Sequence, residues 1–348
     1  MNAPMPRAAT MTRARAMTIW AGLAVAAALV FVASLALGSV PVSPWRALGA
    51  LVAPAGGDPL TGEIVRSLRL PRALAGFGCG ALLALAGALL QVLLRNPLAE
   101  PYVLGVSGGA AGFALAAMIA GGAWWFVDAA SFAGALLSIA LVLGLARRSL
   151  VLAGGLHDGA RDASPRLLLT GVVIASGWGA LVTLMLSIAP DNRLRGIVFW
   201  LAGDLSSAAP PWVALGALAC VAAAALPVAP QLNALLRGDV AAASLGVPVA
   251  RLRLRIYLIA SLAAAAAVTT AGTIGFVGLV APHALRLAFG NDQRMLLPAS
   301  MLAGGAGVMA ADLVARTAIA PAQLPVGAMT ALIGVPAFLW MLLRRPSR

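Results

Sequence analysis

From Ala73 to Leu94 the chain runs for about 22 residues without a charge, enough at ~1.5 Å per residue to cross the ~30 Å hydrocarbon layer of a bilayer. Arginines mark both ends, in Arg69-Leu70-Pro71-Arg72 before the run and Arg95-Asn96-Pro97 after it. A second apolar segment then begins, with Gly105, Gly108 and Gly109 near its start. Membrane spans tolerate such charges only at interfaces, in aqueous cavities or in protein-buried pairs. The stretch therefore describes a helix pair with marked ends.

The rest of the chain repeats this pattern. Of 348 residues, 61% are hydrophobic and 10% charged, with a mean hydropathy of +0.97, more apolar surface than a water-soluble fold can hide. Division at charges, prolines and polar turns gives candidate spans near 18–39, 71–94, 102–121, 124–147, 166–189, 212–230, 254–271, 275–290, 296–316 and 325–343. The first is longer than the apolar region of a secretory signal, which favours an uncleaved membrane helix. Gly196 to Pro211 is too short and polar-ended to cross, and reads as a short interfacial helix anchored by Trp200 and Trp212. The loops near 40–70 and 148–165 are too small to hold a core of their own. The expected fold class is an all-α integral membrane protein of about ten transmembrane helices, one domain over residues 1–348.

All 24 basic residues are arginine. Without lysine there is no Walker A phosphate loop, no Schiff base and no lysine general base. The formal charge of +13 would suggest nucleic acid in a soluble protein; here it reflects arginines that hold loops on the cytoplasmic side, and no nucleic-acid partner is expected. Cys79 and Cys220 sit in apolar runs without metal-ligand spacing, and His157 and His283 match no metal motif. No catalytic, cofactor or metal site is therefore expected. With the N-terminal tail, residues 1–17, in the cytoplasm, ten spans return Arg344, Arg345 and Arg348 to the same side. Arg95, the Arg147–Arg166 loop, Arg237, Arg251, Arg253, Arg255 and Arg294 then lie inside, and Arg46, Arg66, Arg69, Arg72, Arg193, Arg195 and Arg316 outside. The outside minority calls for a functional explanation.

Several local patterns stand apart. Asn96 to Pro101 places two prolines four apart between spans, which forces a rigid non-helical connection. Gly105 to Ala110 is glycine-rich but lacks a phosphate-binding partner motif, so close helix packing is the better reading. In the segment Asn233 to Arg255, Val240–Leu245 can form a short helix ended by Gly246; from the residues alone, a docking loop and a solvated loop remain equally open. His283 follows Pro282 and has no acidic neighbour in sequence, which suits a structural role. Asp312 and Arg316 stand at i,i+4, a helix-surface pair near a span end.

Taken together, Arg69 to Arg72, Arg95 to Pro101, Leu104 to Ser107, Leu245 to Val247, Gly278 to His283, Ala311-Asp312 and Leu324 to Gly327 resemble the iron-chelate and cobalamin (FecCD-type) permease family. These are membrane subunits of type II ABC importers, and the motifs follow the family order from about residue 40 onward. The resemblance implies ten helices per subunit and a homodimer in the bacterial inner (plasma) membrane. It also implies two cytoplasmic ATP-binding subunits and a periplasmic substrate-binding protein. Residues 233–255 would be the cytoplasmic coupling loop, with Asp239, Ala242, Leu245 and Gly246 as ATPase contacts. Exposed arginines Arg69, Arg72 and Arg316 would receive acidic residues of the binding protein. Arg95, Asn96, Pro97, Gly105, Ser107, Pro282 and His283 would be structural or gating residues. Tyr102 and Gly108 depart from the pattern, since many relatives carry glycine at the first and some carry serine or asparagine at the second.

The implied function is import of a metal chelate (ferric siderophore, haem or cobalamin) powered by a separate ATPase, the chain itself being no enzyme. An ion-coupled secondary transporter would instead need acids in mid-span, whereas most here fall near span ends. A membrane enzyme would need clustered Asp, His or Lys chemistry, and none is visible.

Overall fold

The computed structural model describes residues 12–52, 59–151, 163–206 and 210–343. Arg7, most of the cytoplasmic tail predicted at 1–17, His157, most of the 148–165 loop and the arginines from Arg344 onward lie outside the described residues. Within them the chain forms α1 (Arg13–Ala36), α2 (Pro44–Val52), α3 (Pro59–Glu63), α4 (Leu70–Leu93), α5 (Val106–Ile119), α6 (Trp124–Val151), α7 (Ala163–Ile188) and α8 (Asp191–Leu201). There follow α9 (Pro211–Ala225), α10 (Ala229–Leu235), α11 (Asp239–Ser244), α12 (Val249–Ala271), α13 (Val277–Phe289), α14 (Gln293–Thr317) and α15 (Val326–Leu343). A π-helical segment, Ile64–Arg69, runs into α4, and a single 3₁₀ turn, Pro101–Leu104, precedes α5.

All ten predicted spans contain a helix, and eight of those helices are long and apolar enough to cross a membrane. The first starts earlier than predicted, at Arg13, where the Thr12 hydroxyl accepts the Arg15 amide N–H; a threonine at this position supplies the partner that a first-turn donor lacks. The short helix predicted at Gly196–Pro211 instead occupies Asp191–Leu201, directly after Pro190, and ends at Gly203, whose φ is +78°.

The centre of the bundle is α4. Its span is 89% buried, against 11% for the α7 span and 28% for α15, so α4 is the core helix while α7 and α15 face outward. α14, α12, α13 and α9 surround it. Between helices in lipid, close backbone approach replaces the hydrophobic effect as the main source of packing energy. The contact with α13 shows this: a Cβ on Gly87 would fall 1.8 Å from the Gly278 carbonyl oxygen. α1 lies against α14, where the Trp20 indole N–H donates to the Met295 carbonyl at 3.1 Å.

Two predicted spans prove to be half-helices. α5 has 14 residues and α13 has 13, about 20 Å each. Both begin partway along their neighbours, Gly105 against Ser138 of α6 and Ala175 of α7, and Gly278 against Leu83 and Gly87 of α4. The remaining length of each is not α-helical: residues 94–105, which include the 3₁₀ turn Pro101–Leu104, and residues 272–276. Such backbone is tolerated at membrane depth only where protein buries it and satisfies its polar groups.

Candidate functional site: two arginine clusters and the connector between the helices

At the Arg72 end, the π-helical segment before α4 turns Arg69 inward. Its guanidinium donates to the carbonyls of Leu35 (2.7 Å), Ala36 (2.9 Å) and Val40. Arg316 of α14 donates to the Ser34 carbonyl beside them. The last carbonyls of α1 have no intrahelical partner and lie at the negative end of the helix dipole, so two guanidiniums gather there. Arg72 takes the other role. Its Nε and Nη2 fork onto Asp312 at 3.0 and 2.8 Å, and Nη1 donates to Gln323 Oε1 at 2.8 Å. Asp312 also lies 3.6 Å from Arg316, so the i,i+4 pair forms, but both residues are buried rather than on the helix surface as expected.

One carboxylate thus serves two of the three arginines, Arg72 and Arg316, beside a pocket of about 530 Å³ that Ser39, Ser67, Ser206 and Trp212 also line. The expectation of exposed arginines needs correction: the Arg72 side chain is only 12% exposed, and Arg69 and Arg316 are buried at 6% and 8%. Both are consumed by α1, a contact between residues more than thirty positions apart that helical spacing does not reveal.

At the Arg95 end, Asp239 opens α11 and accepts from two arginines, Arg253 Nη2 at 2.8 Å and Arg95 Nη2. This turns Asp239 toward the protein, and Ala242 is fully buried. Of the four predicted contact residues, Leu245 (65% exposed) and Gly246 face outward, joined by Val240 at 79%. The reason is the short helix itself, which has one face to bury and gives Asp239 and Ala242 to it. Nearby, Asp292 caps α14 through the Arg294 amide and accepts from Asn233 Nδ2 at 2.8 Å.

The connector between α4 and α5 leaves the Arg95 end. Arg95 itself has φ +48°. Asn96 Oδ1 accepts the Leu98 amide at 2.9 Å, and the Ala99 amide donates to the Asn96 carbonyl at 3.1 Å. Pro97 and Pro101 stiffen what these bonds shape. Glu100 Oε1 accepts the Phe276 amide at 2.6 Å, and the Tyr102 hydroxyl accepts the Ile274 amide at 2.9 Å. Gly105, at φ +75°, turns the chain into α5, and its carbonyl accepts from Ser138 at 2.7 Å. Ser107 lies half-buried in the first turn of α5. Pro282 and His283 lie apart from the connector, on α13, with the His283 ring 5.5 Å from that of Phe338 on α15.

Sequence reasoning grouped Arg69, Arg72 and Arg316, which the structure places around one pocket, but gave no sign that Asp239 pairs with Arg95. It missed Arg253, Gln323, Glu100 and Tyr102 as partners. For Glu100 and Tyr102 a signal existed: polar side chains in an apolar, proline-bounded segment at membrane depth need partners.

The profile of the FecCD transport family matches residues 26–344. The chain belongs to that family. It is 42% identical over 317 residues to the cobalamin import system permease protein BtuC of Halobacterium salinarum, covering 88% of this chain and 81% of that one. To the vitamin B12 import system permease protein BtuC of Klebsiella pneumoniae it is 38% identical over 286 residues, 81% and 82% of the two chains. A solved structure of a metal-chelate type ABC transporter in an inward-facing conformation matches with a TM-score of 0.81 at 31% identity, over 94% of this chain and all of that one. This FecCD-family chain is accordingly a multi-span membrane permease with the type II ABC importer fold.

Proposed function

We propose that the chain is the permease subunit of an ATP-driven importer of metal chelates, with cobalamin the foremost cargo among cobalamin, haem and ferric siderophores. The observation that carries this reading is 42% identity over 88% of the chain to a cobalamin import permease. Hydrolysis belongs to two cytoplasmic ATPase subunits, and a periplasmic binding protein delivers the cargo to a homodimer of this chain. The permease sits in the inner membrane with both termini cytoplasmic, as one transmembrane domain.

In that orientation the Arg72 end faces the periplasm. The pocket bordered by Arg69, Arg72 and Arg316 has two more cations than anions, counting Asp312, which suits an acidic docking surface. Arg69 and Arg316 already hold α1, which leaves Arg72 as the receiving group, an acidic residue of the partner competing there with Asp312 and Gln323. The Arg95 end faces the cytoplasm. Residues 233–255 form the coupling region, where Asp239 and Ala242 seat α11 and the exposed Val240, Leu245 and Gly246 meet the ATPase.

Co-purification of the tagged protein from its native membrane tests the assembly. An ATPase recovered at equal stoichiometry supports it, and a binding protein recovered with it is then titrated with cyanocobalamin, haem and ferric siderophores. Recovery of the membrane chain alone, transporting in liposomes without ATP, would overturn it in favour of ion-coupled transport.

A further inference from the structure

The described residues contain two non-glycine positions with positive φ, Arg95 at +48° and Phe276 at +68°. Such conformations persist only where surrounding contacts hold them, and they concentrate at switch regions. Both border on the same short piece of chain, the connector between α4 and α5. Arg95 opens the connector and is gripped by Asp239 of α11. The Phe276 amide, at the start of α13, is gripped by Glu100 near the other end of the connector.

The path continues past this point. Tyr102 binds the Ile274 amide at 2.9 Å, and the adjoining Thr273 hydroxyl donates to the Leu201 carbonyl at the end of α8. Gly272 packs so tightly on α8 that a Cβ there would fall 2.0 Å from the Trp200 carbonyl oxygen. The Asp204 amide, just beyond α8, returns a bond to the Ala271 carbonyl at 2.9 Å. An unbroken series of hydrogen bonds and backbone contacts thus runs from α11, at one end of the layer, to α8.

We propose that Glu100 and Tyr102 latch the start of α13 to the connector, so that α11, the connector and the turn before α13 move as one unit and carry displacement of α11 to the end of α8. Neither residue touches cargo in this assignment; both are positioning residues. The proline-stiffened connector supplies rigidity. The latch holds because a Phe276 or Ile274 amide released at membrane depth finds no water to replace its partner. The proposal rests on the reading of Val240 to Gly246 as the ATPase contact.

The test uses the complete transporter in liposomes, reading cargo taken up per ATP hydrolysed together with retention of the ATPase in a pull-down. Glu100→Ala is expected to keep the ATPase but lower cargo per ATP by about tenfold, the scale of one lost buried hydrogen bond. Glu100→Gln is expected to restore the ratio to near wild type, because an amide oxygen accepts the same N–H. Tyr102→Phe, which keeps the ring and loses the acceptor, is expected to fall between them. A wild-type ratio in Glu100→Ala overturns the proposal, as does a Glu100→Gln variant as uncoupled as Glu100→Ala. Where Glu100→Ala yields no folded protein, Tyr102→Phe carries the test, and a wild-type ratio there is equally decisive. Failure of the ATPase-contact reading shows separately, as normal ATPase retention and stimulation in variants of the exposed Leu245.

Discussion

Arg72 and Asp312, 240 residues apart in sequence, form a forked ion pair in which the carboxylate is 3% exposed. Asp312 is the shared anion of the cluster, holding Arg72 directly and lying 3.6 Å from Arg316. Removing one partner of a buried pair leaves uncompensated charge, typically a loss of about 3–5 kcal/mol. Asp312→Ala is therefore expected to lower stability by that order, read as a clear drop in the thermal unfolding midpoint in nanodiscs. The double variant Arg72→Met/Asp312→Leu, which removes both charges, should recover part of the loss. An unchanged midpoint in Asp312→Ala would show that the pair carries no structural weight.

Arg69 and Arg72 belong to one motif but have different work. Arg69→Ala strips two charge-assisted bonds from the end of α1 and a third from Val40 just beyond it, and should reduce stability before it affects docking. Arg72→Ala also leaves Asp312 without its forked partner and so lowers stability. In the folded protein it should in addition weaken capture of the binding protein, with the association rate falling most at low ionic strength, where screening is least. Stopped-flow association across a salt series separates them. Equal rates for wild type and Arg72→Ala at every salt concentration would remove Arg72 from the docking surface.

The places of the ten apolar segments were legible because a run of ~20 apolar residues announces itself by length. The Asp312–Arg316 pair was legible because both residues share one helix. What stayed hidden was depth and direction. Apolar composition does not distinguish a helix that crosses from one that starts halfway, so Val106–Ile119 and Val277–Phe289 read as full spans. Whether Arg69 faces a pocket or the end of α1 depends on a π-helical turn and on a helix more than thirty residues away. Likewise Asp239 read as a surface contact because its two arginines, Arg95 and Arg253, meet it only through the fold.

Gly246 adopts φ +80° between α11 and α12, a conformation closed to proline, whose ring fixes φ near −65°. Gly246→Pro is expected to reorient the exposed Leu245 while the Asp239 ion pairs hold the other end of α11. Stimulated ATP hydrolysis by the assembled transporter should fall at least several-fold, with membrane insertion of the chain preserved. Normal stimulation would mean that this turn does not transmit to the ATPase.

The Arg294 side chain, assisted by Asn233, holds the Asp292 carboxyl below its ordinary range. A depressed folded pKa makes a stabilising contribution that is present in full above the unfolded value of about 3.9. It is lost as pH falls through the lower folded value. The anchorage of α14 to α10 should consequently be constant from about pH 5 upward and weaken only in strong acid. Unfolding midpoints measured from pH 7 down to pH 3 should show a steeper acid decline in wild type than in Asp292→Asn. Parallel curves would remove Asp292 from the acid response.

The contact of α4 with α13 has the least room to adapt. At Gly87 an added Cβ would lie 1.8 Å from the Gly278 carbonyl oxygen, and at Gly278 one would lie 2.8 Å from the Leu83 carbonyl oxygen. Both obstacles are backbone, so no side-chain rotation relieves them, and the helices must separate. Separation would draw the start of α13 from Glu100 and stretch the bonds of the Gln91 amide to the Gly278 and Leu279 carbonyls, now 3.4 and 3.3 Å. Gly87→Ala should therefore cost more than the ~1–3 kcal/mol of ordinary overpacking, although alanine is the better helix former by about 1 kcal/mol. Gly144→Ala, at a position with open space around it, is the matched control and should be neutral or slightly stabilising. The comparison of their unfolding midpoints in nanodiscs decides the matter: a Gly87→Ala protein as stable as Gly144→Ala would mean that the two helices do not meet at this distance.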